Sequence, residues 1–243
     1  MDMAIIEYSK QLKLGTIAKE WDSIEYVNKK QYIHDLLLHE IKEREINRIN
    51  RAVKSAGFKI MKTLSDFQWS TNIDIPSTIT KEEIEIGAFV NKKENLIMIG
   101  AVGTGKSHLA SAIALETCRN GKKVKFFSAA ELANTLLEKH QKGTLNAFMK
   151  MIKTLDLLVL DEVGFVPLHR DGAELIFQLI SDCYESRSLI VTSNLEFSGW
   201  NTVFGDNRLT AAIVDRLVHH SHILVFSGES YRLKQSMQRQ RQS

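Results

Sequence analysis

Gly100-Ala101-Val102-Gly103-Thr104-Gly105-Lys106-Ser107 is a complete match to the pattern G-x-x-x-x-G-K-[ST]. An apolar run over 96–99 precedes it, and a helical pattern over 106–119 follows. Glycines at these places let the backbone curl until successive N–H groups face one point. A helix that begins there aims the positive end of its dipole at the same point. The enclosed group must therefore be anionic, and the spacing suits the phosphates of ATP. Lys106 is expected to reach the β- and γ-phosphates, and the Ser107 hydroxyl to ligate Mg²⁺. The eight loop residues and His108, which follows them, are the candidate nucleotide contacts. The competing reading is a chance glycine turn.

The rest of the chain supplies the context such a loop needs. Further strands are expected over 124–127, 155–160, 189–192 and 223–226, with helices over 129–139, 145–153, 173–184 and 210–217. Continuous apolar strands separated by helices imply an α/β fold with a parallel sheet covered on both faces. Four segments follow: an N-terminal helical domain over 1–57, a connector over 58–94, an ATPase domain over 95–236 and a basic tail over 237–243. Within the connector, Phe58, Ile60, Met61 and Leu64 are expected to be buried, and Phe67-Gln68-Trp69 to be extended. Thr80 with Glu83 reads as a capping box.

The strand over 155–160 runs into Asp161-Glu162. In a parallel sheet, ligands bind beyond the carboxyl ends of the strands. Asp161 is thus placed to hold Mg²⁺, and Glu162 to orient and deprotonate an attacking water. An Asp-Glu pair here marks the P-loop ATPases that use a strand-end glutamate as base. Asn194, just beyond the strand over 189–192, is the candidate for holding that water. A loop asparagine capping its own turn is the alternative.

Composition constrains partners weakly. The 243 residues carry a formal charge of +3. The apolar stretches are too short to span a bilayer, and the first residues lack the pattern of a secretion signal, so a cytoplasmic location is expected. Cys118 and Cys183 lie within helical patterns and are expected to be small buried side chains. Lys42, Arg44, Arg48 and Arg51 line one helix and are positioned to track a phosphate backbone, although Glu40, Glu43 and Glu45 are interleaved. Lys122, Lys123 and Lys125 form a second basic cluster. His219, His220 and His222 are close in sequence but are not expected to share a metal, because alternate strand residues face opposite sides.

Taken together, the phosphate loop, Leu160-Asp161-Glu162, Val191-Thr192-Ser193-Asn194-Leu195, Asp215-Arg216-Leu217 and Ser230-Tyr231-Arg232 resemble the AAA+ ATPases of the helicase-loader branch, and within it the IstB-like proteins of insertion sequences. The resemblance implies a five-stranded parallel sheet in the order 5-1-4-3-2 flanked by helices, a small N-terminal helical domain and no full C-terminal lid. It also implies that 129–153 is an additional helical insertion. It casts Arg216 as an arginine finger entering a neighbour's site and Arg232 as the second sensor, tasks that suit a permanently charged planar fork. The implied activity is Mg²⁺-dependent ATP hydrolysis, with double-stranded DNA, further copies of the chain and a transposase as partners. A DnaC-type helicase loader and an ATP switch with negligible turnover are the alternatives.

Overall fold

The computed structural model describes residues 1–25, 28–231 and 237. They form two compact units, divided between Arg51 and Ala52. The first contains helices α1 (Asp2–Gln11) and α2 (Ile17–Glu20) and most of α3 (Lys29–Ala56). The remaining elements, in chain order, are β1 (Ile73–Asp74), α4 (Lys81–Glu85), α5 (Ala88–Lys92), β2 (Asn95–Gly100), α6 (Lys106–Arg119), β3 (Val124–Ser128), α7 (Ala129–Gln141), α8 (Leu145–Ile152), β4 (Leu157–Val163), α9 (Arg170–Cys183), β5 (Ser188–Ser193), α10 (Asn201–Phe204), α11 (Asn207–Val218) and β6 (Ser221–Phe226).

Among the described residues the sheet has six strands in the order β1-β6-β2-β5-β4-β3. The last five are parallel and keep the order 5-1-4-3-2. The expectation of five strands is corrected by β1, a short antiparallel partner of β6 that pairs Ile73 with Phe226 and Asp74 with Val225. It covers an edge that would otherwise present unpaired main-chain groups. Phe67-Gln68-Trp69, expected to be extended, belongs to no strand. Phe67 and Trp69 are irregular in backbone and pack edge to face, with ring centroids 5.2 Å apart.

Alternation along the strands divides the core between the two sheet faces. Ile97, Ile99, Leu158 and Leu160 pack with Leu132, Leu136, Ile176 and Ile213 on one side. Leu96, Met98, Leu157 and Val159 pack with Leu109, Ile113, Ile84 and Phe89 on the other. Cys118 and Cys183 are buried and free, and burial pushes both thiols up to about 11. Thr80 and Glu83 form the expected box: Glu83 N donates to Thr80 Oγ1 and Thr80 N to Glu83 Oε2.

The connector departs from its hydropathy. Ile60 and Met61 are exposed. Main-chain groups anchor this stretch instead: Ser111 Oγ donates to Ile60 O at 3.0 Å and accepts from Lys62 N at 3.3 Å. Helix α9 begins at Arg170 rather than 173, because His169 accepts from Asp171 N and caps it early.

In the N-terminal unit, Glu40 is the organising group. It is only 4% exposed. It accepts from Thr16 N at 2.8 Å and Ile17 N at 3.0 Å, and so caps the start of α2. Arg44 Nε donates to its other oxygen at 2.8 Å. Burial alone would raise its pKa, but the Ile17 amide, Arg44 and the Thr16 amide outweigh burial and hold it below the ordinary value. Its contribution to stability is therefore complete above the unfolded carboxylate value and is lost as pH falls through the lower folded one. Glu40→Gln should destabilise this unit by about 2 kcal/mol near neutral pH, with the gap to wild type narrowing in acid. Thermal unfolding by circular dichroism across that range checks it; a gap independent of pH would contradict the assignment.

Candidate nucleotide site

The phosphate loop joins β2 to α6 at the carboxyl end of the sheet. Its first glycine is dictated by a close approach. Gly100 has φ +147°, and a Cβ there would lie 2.1 Å from Phe226 O on the neighbouring strand. Among the described residues, the amides of 102–105 donate to no main-chain carbonyl. Such a run of free N–H groups at a helix start is an anion nest.

Lys106 is buried, 7% exposed, at the first position of α6. Its ammonium donates to Gly100 O at 2.6 Å, Ala101 O at 2.7 Å and, at 3.4 Å, Thr104 Oγ1. Burial lowers its pKa to about 8, and the nearby Asp161 only partly opposes that. A desolvated cation beside unpaired amides is a strong recognition element for a phosphate. His108 commits its ring to the connector: Nε2 pairs with Thr63 O at 3.2 Å and the ring packs edge to face on Phe67. What it can offer an anion is its main-chain N–H.

Facing the loop, β4 delivers Asp161 and Glu162. Asp161 is 8% exposed, and its Oδ1 accepts from Ser107 Oγ at 2.8 Å. A hydroxyl and a carboxylate in contact at a phosphate nest make a set of hard oxygen donors that fits Mg²⁺. A second hydroxyl, that of Thr192, also donates to Asp161 Oδ1. Glu162 is exposed, with φ +60°. The register of β4 on β5 shifts between Leu160 and Val163, so Glu162 sits on a bulge.

Asn194 follows β5 and is half-buried, next to Gly164 just beyond the acid pair in the chain. Gly164 makes room for it: φ is +108°, and a Cβ would stand 2.8 Å from Asn194 Oδ1. Past β6 the chain returns to the loop, where Tyr231 N donates to Gly103 O at 2.9 Å. Arg232 lies outside the described residues, as do Lys234, Arg239 and Arg241. Lys106, Ser107, Asp161, Glu162 and Asn194 thus gather at one end of the sheet.

Other candidates lie elsewhere. Arg216, late in α11, stacks its guanidinium 4.9 Å from the Phe177 ring centroid and donates to Ala212 O at 3.0 Å. No carboxylate lies within ion-pair distance of it among the described residues. The histidines separate. His222 is buried between Thr78 and Glu94, while exposed His219 and His220 lie beside Glu185. On α3, Arg44 is bound to Glu40, Arg48 pairs with Glu45 at 2.5 Å, and Arg51 Nε donates to Asn47 O at 3.2 Å. Sequence reasoning missed Thr192 and Gly164. The signal for Thr192 was a hydroxyl within an apolar strand beside the acid strand.

Residues 8–239 match the family model for IstB-like ATP binding protein. The chain is 32% identical over 241 residues to the ATP-binding protein of insertion sequence IS5376 from Geobacillus stearothermophilus, covering 97% of this chain and 96% of that protein. It is 35% identical over 209 residues to that of IS21 from Pseudomonas aeruginosa, covering 86% and 78%. The fold is similar to that of the DnaC helicase loader, at 22% identity and a TM-score of 0.52, covering 68% of this chain and 96% of that one. It is also similar to AMPPCP-bound DnaA from Aquifex aeolicus, at 23% identity and a TM-score of 0.57, covering 77% of this chain and 56% of that one. The chain therefore spans just over half the length of that DnaA structure.

The contact at Gly100 sets a test of the loop geometry. Gly100→Ala forces its Cβ against a backbone oxygen, which a side-chain rotation cannot relieve. It is expected to lower stability by about 2 kcal/mol or more and to weaken ATP binding at least about tenfold. Thermal melts and titration with a fluorescent ATP analogue measure both; wild-type values in both would refute the close approach.

Proposed function

Because the chain belongs to the family of IstB-like ATP-binding proteins, we propose that it is a Mg²⁺-dependent ATPase that assembles with ATP on double-stranded DNA and regulates transposition of an insertion sequence with a partner transposase. The observation that carries the enzymatic part is the contact between Ser107 Oγ and Asp161 Oδ1, which joins a complete phosphate loop to an acid pair.

In this reading the amides of 102–105 and the Lys106 ammonium bind the β- and γ-phosphates and take up the charge that develops on them. Ser107 and Asp161 hold Mg²⁺, which when bound supplies further neutralisation of that charge. Glu162 accepts a proton from the attacking water, and Asn194 orients that water. Glu162 suits this role because it is exposed beside a buried acid and is held by a bulge rather than by an ion pair. Arg216 serves a neighbouring copy, which makes turnover depend on assembly. That no carboxylate among the described residues lies within ion-pair distance of it favours that role over a structural ion pair. Arg232 is proposed as the second sensor from sequence alone.

For DNA, the proposal narrows to Lys42, Arg48 and Arg51. Arg44 is committed to Glu40 and also donates to Lys13 O. Exposed pairs such as Arg48 with Glu45 cost little to exchange for a phosphate. A DnaC-type helicase loader would share every ATPase residue named, but relatives similar along most of the chain are insertion-sequence proteins. The intact Asp161-Glu162 pair argues against a switch without turnover.

Lys106→Ala should lose ATP binding. Glu162→Gln should retain ATP, hydrolyse it at least about a hundredfold more slowly and accumulate as a large complex on duplex DNA. Phosphate release and light scattering with ATP, with and without duplex, read both effects. Normal turnover by Glu162→Gln would remove the base assignment, and a monomer under every condition would remove the assembly.

A further inference from the structure

We infer that Thr192 is a positioning residue for hydrolysis: its single hydroxyl sets where both Asp161 and Glu162 stand relative to the phosphate loop. The inference rests on the reading of Glu162 as the base and adds a residue that this reading did not contain.

Thr192 is 1% exposed in the middle of the sheet, following Ile190 and Val191, which are fully buried. A hydroxyl at such a place is costly unless its hydrogen bonds are satisfied. Here it is used in both senses. It donates its one proton to Asp161 Oδ1, and it accepts from Glu162 N at 3.0 Å.

The strand register explains why this residue matters. Leu160 pairs with Val191, and the next pair is Val163 with Ser193. Asp161 and Glu162 on one strand thus oppose Thr192 alone on the other, which is the two-against-one arrangement of a β-bulge. Inside a bulge the ladder has no carbonyl in place for the extra amide, and the Thr192 side chain takes its part. Glu162 also adopts φ +60°, a conformation that disfavours a residue with a Cβ by about 1 kcal/mol. The bond from Glu162 N to Thr192 helps to hold that conformation. Without it the bulge is free to relax, and a slip of one residue would turn the Glu162 side chain toward the other face of the sheet.

The same hydroxyl orients Asp161. Ser107 and Thr192 both donate to Oδ1. If Ser107 turns to ligate Mg²⁺, Thr192 remains as the fixed donor that keeps the carboxylate aimed. Valine at 192 would keep the shape and branching of threonine while removing both bonds.

The test compares Thr192→Val, Thr192→Ser and Glu162→Gln in the full chain. For Thr192→Val the expectation is ATP-analogue binding within about threefold of wild type and kcat lowered at least about tenfold. Faster hydrogen exchange of the Glu162 amide should accompany the loss, a readout independent of turnover. Thr192→Ser, which keeps the hydroxyl, should restore kcat to within about threefold of wild type with the amide protected. Wild-type kcat and protection in Thr192→Val, alongside an inactive Glu162→Gln, would overturn the inference and leave the base assignment standing. A folded Thr192→Ser as slow as the valine variant would also overturn it, and this arm decides even if Thr192→Val does not fold. If Glu162→Gln turned over normally, the base reading would fail, and the exchange data would still judge whether Thr192 holds the bulge.

Discussion

Asp161 Oδ1 accepts from Ser107 on α6 and Thr192 on β5, while Asp161 itself belongs to β4. One buried carboxylate oxygen therefore ties together the helix that follows the phosphate loop and two central strands. An ionised carboxylate left without partners at 8% exposure would be heavily penalised. Bonds to a charged acceptor contribute about 1.5–3 kcal/mol each, comparable with the removal of a large apolar side chain from water. The pocket is thus more than an opening at the sheet's end. The groups proposed to handle metal and water are also the ones that join these elements.

The elements meet closely because small residues let backbones approach. Phe226 O sits where a Cβ of Gly100 would be, and Asn194 Oδ1 crowds the place of a Cβ on Gly164. The first contact sets the loop strand against β6, and the second sets the end of the acid strand against the turn after β5. Tyr231 N, bonded to Gly103 O, brings the segment beyond β6 to the same place. Three strand ends therefore converge on one loop. Catalytic geometry in such a site depends on strand register as much as on side-chain identity, which is why a one-residue bulge in β4 carries chemical consequences.

That dependence also separates what was legible in the sequence from what was not. The five parallel strands and the helices between them follow from apolar runs punctuated by helical spacing, and the phosphate loop and Thr80–Glu83 box are local patterns whose chemistry lies within a few residues. The bulge at Asp161-Glu162 was invisible, since a sequence shows one strand at a time and a bulge is a relation between two. Thr192 was missed for the same reason: its partners lie 31 and 30 residues away. The exposure of Ile60 and Met61 escaped hydropathy because their segment is held by backbone bonds to Ser111. Strand β1 is too short for any periodicity, being two residues that cover an edge.

Charge patterning met a related limit on α3. Lys42, Arg44, Arg48 and Arg51 look equivalent along the sequence, yet the fold distinguishes them. Arg44 reaches a carboxylate that is itself buried under two amides, so removing it would expose an uncompensated charge. Arg48 meets an exposed Glu45 that water solvates well in any case. The interleaved acids therefore have opposite effects: Glu40 withdraws one arginine into the architecture, whereas Glu45 leaves another free to exchange partners. A basic stripe reports how many cations a helix carries, and the burial of its acids decides which of them remain available to an anionic partner.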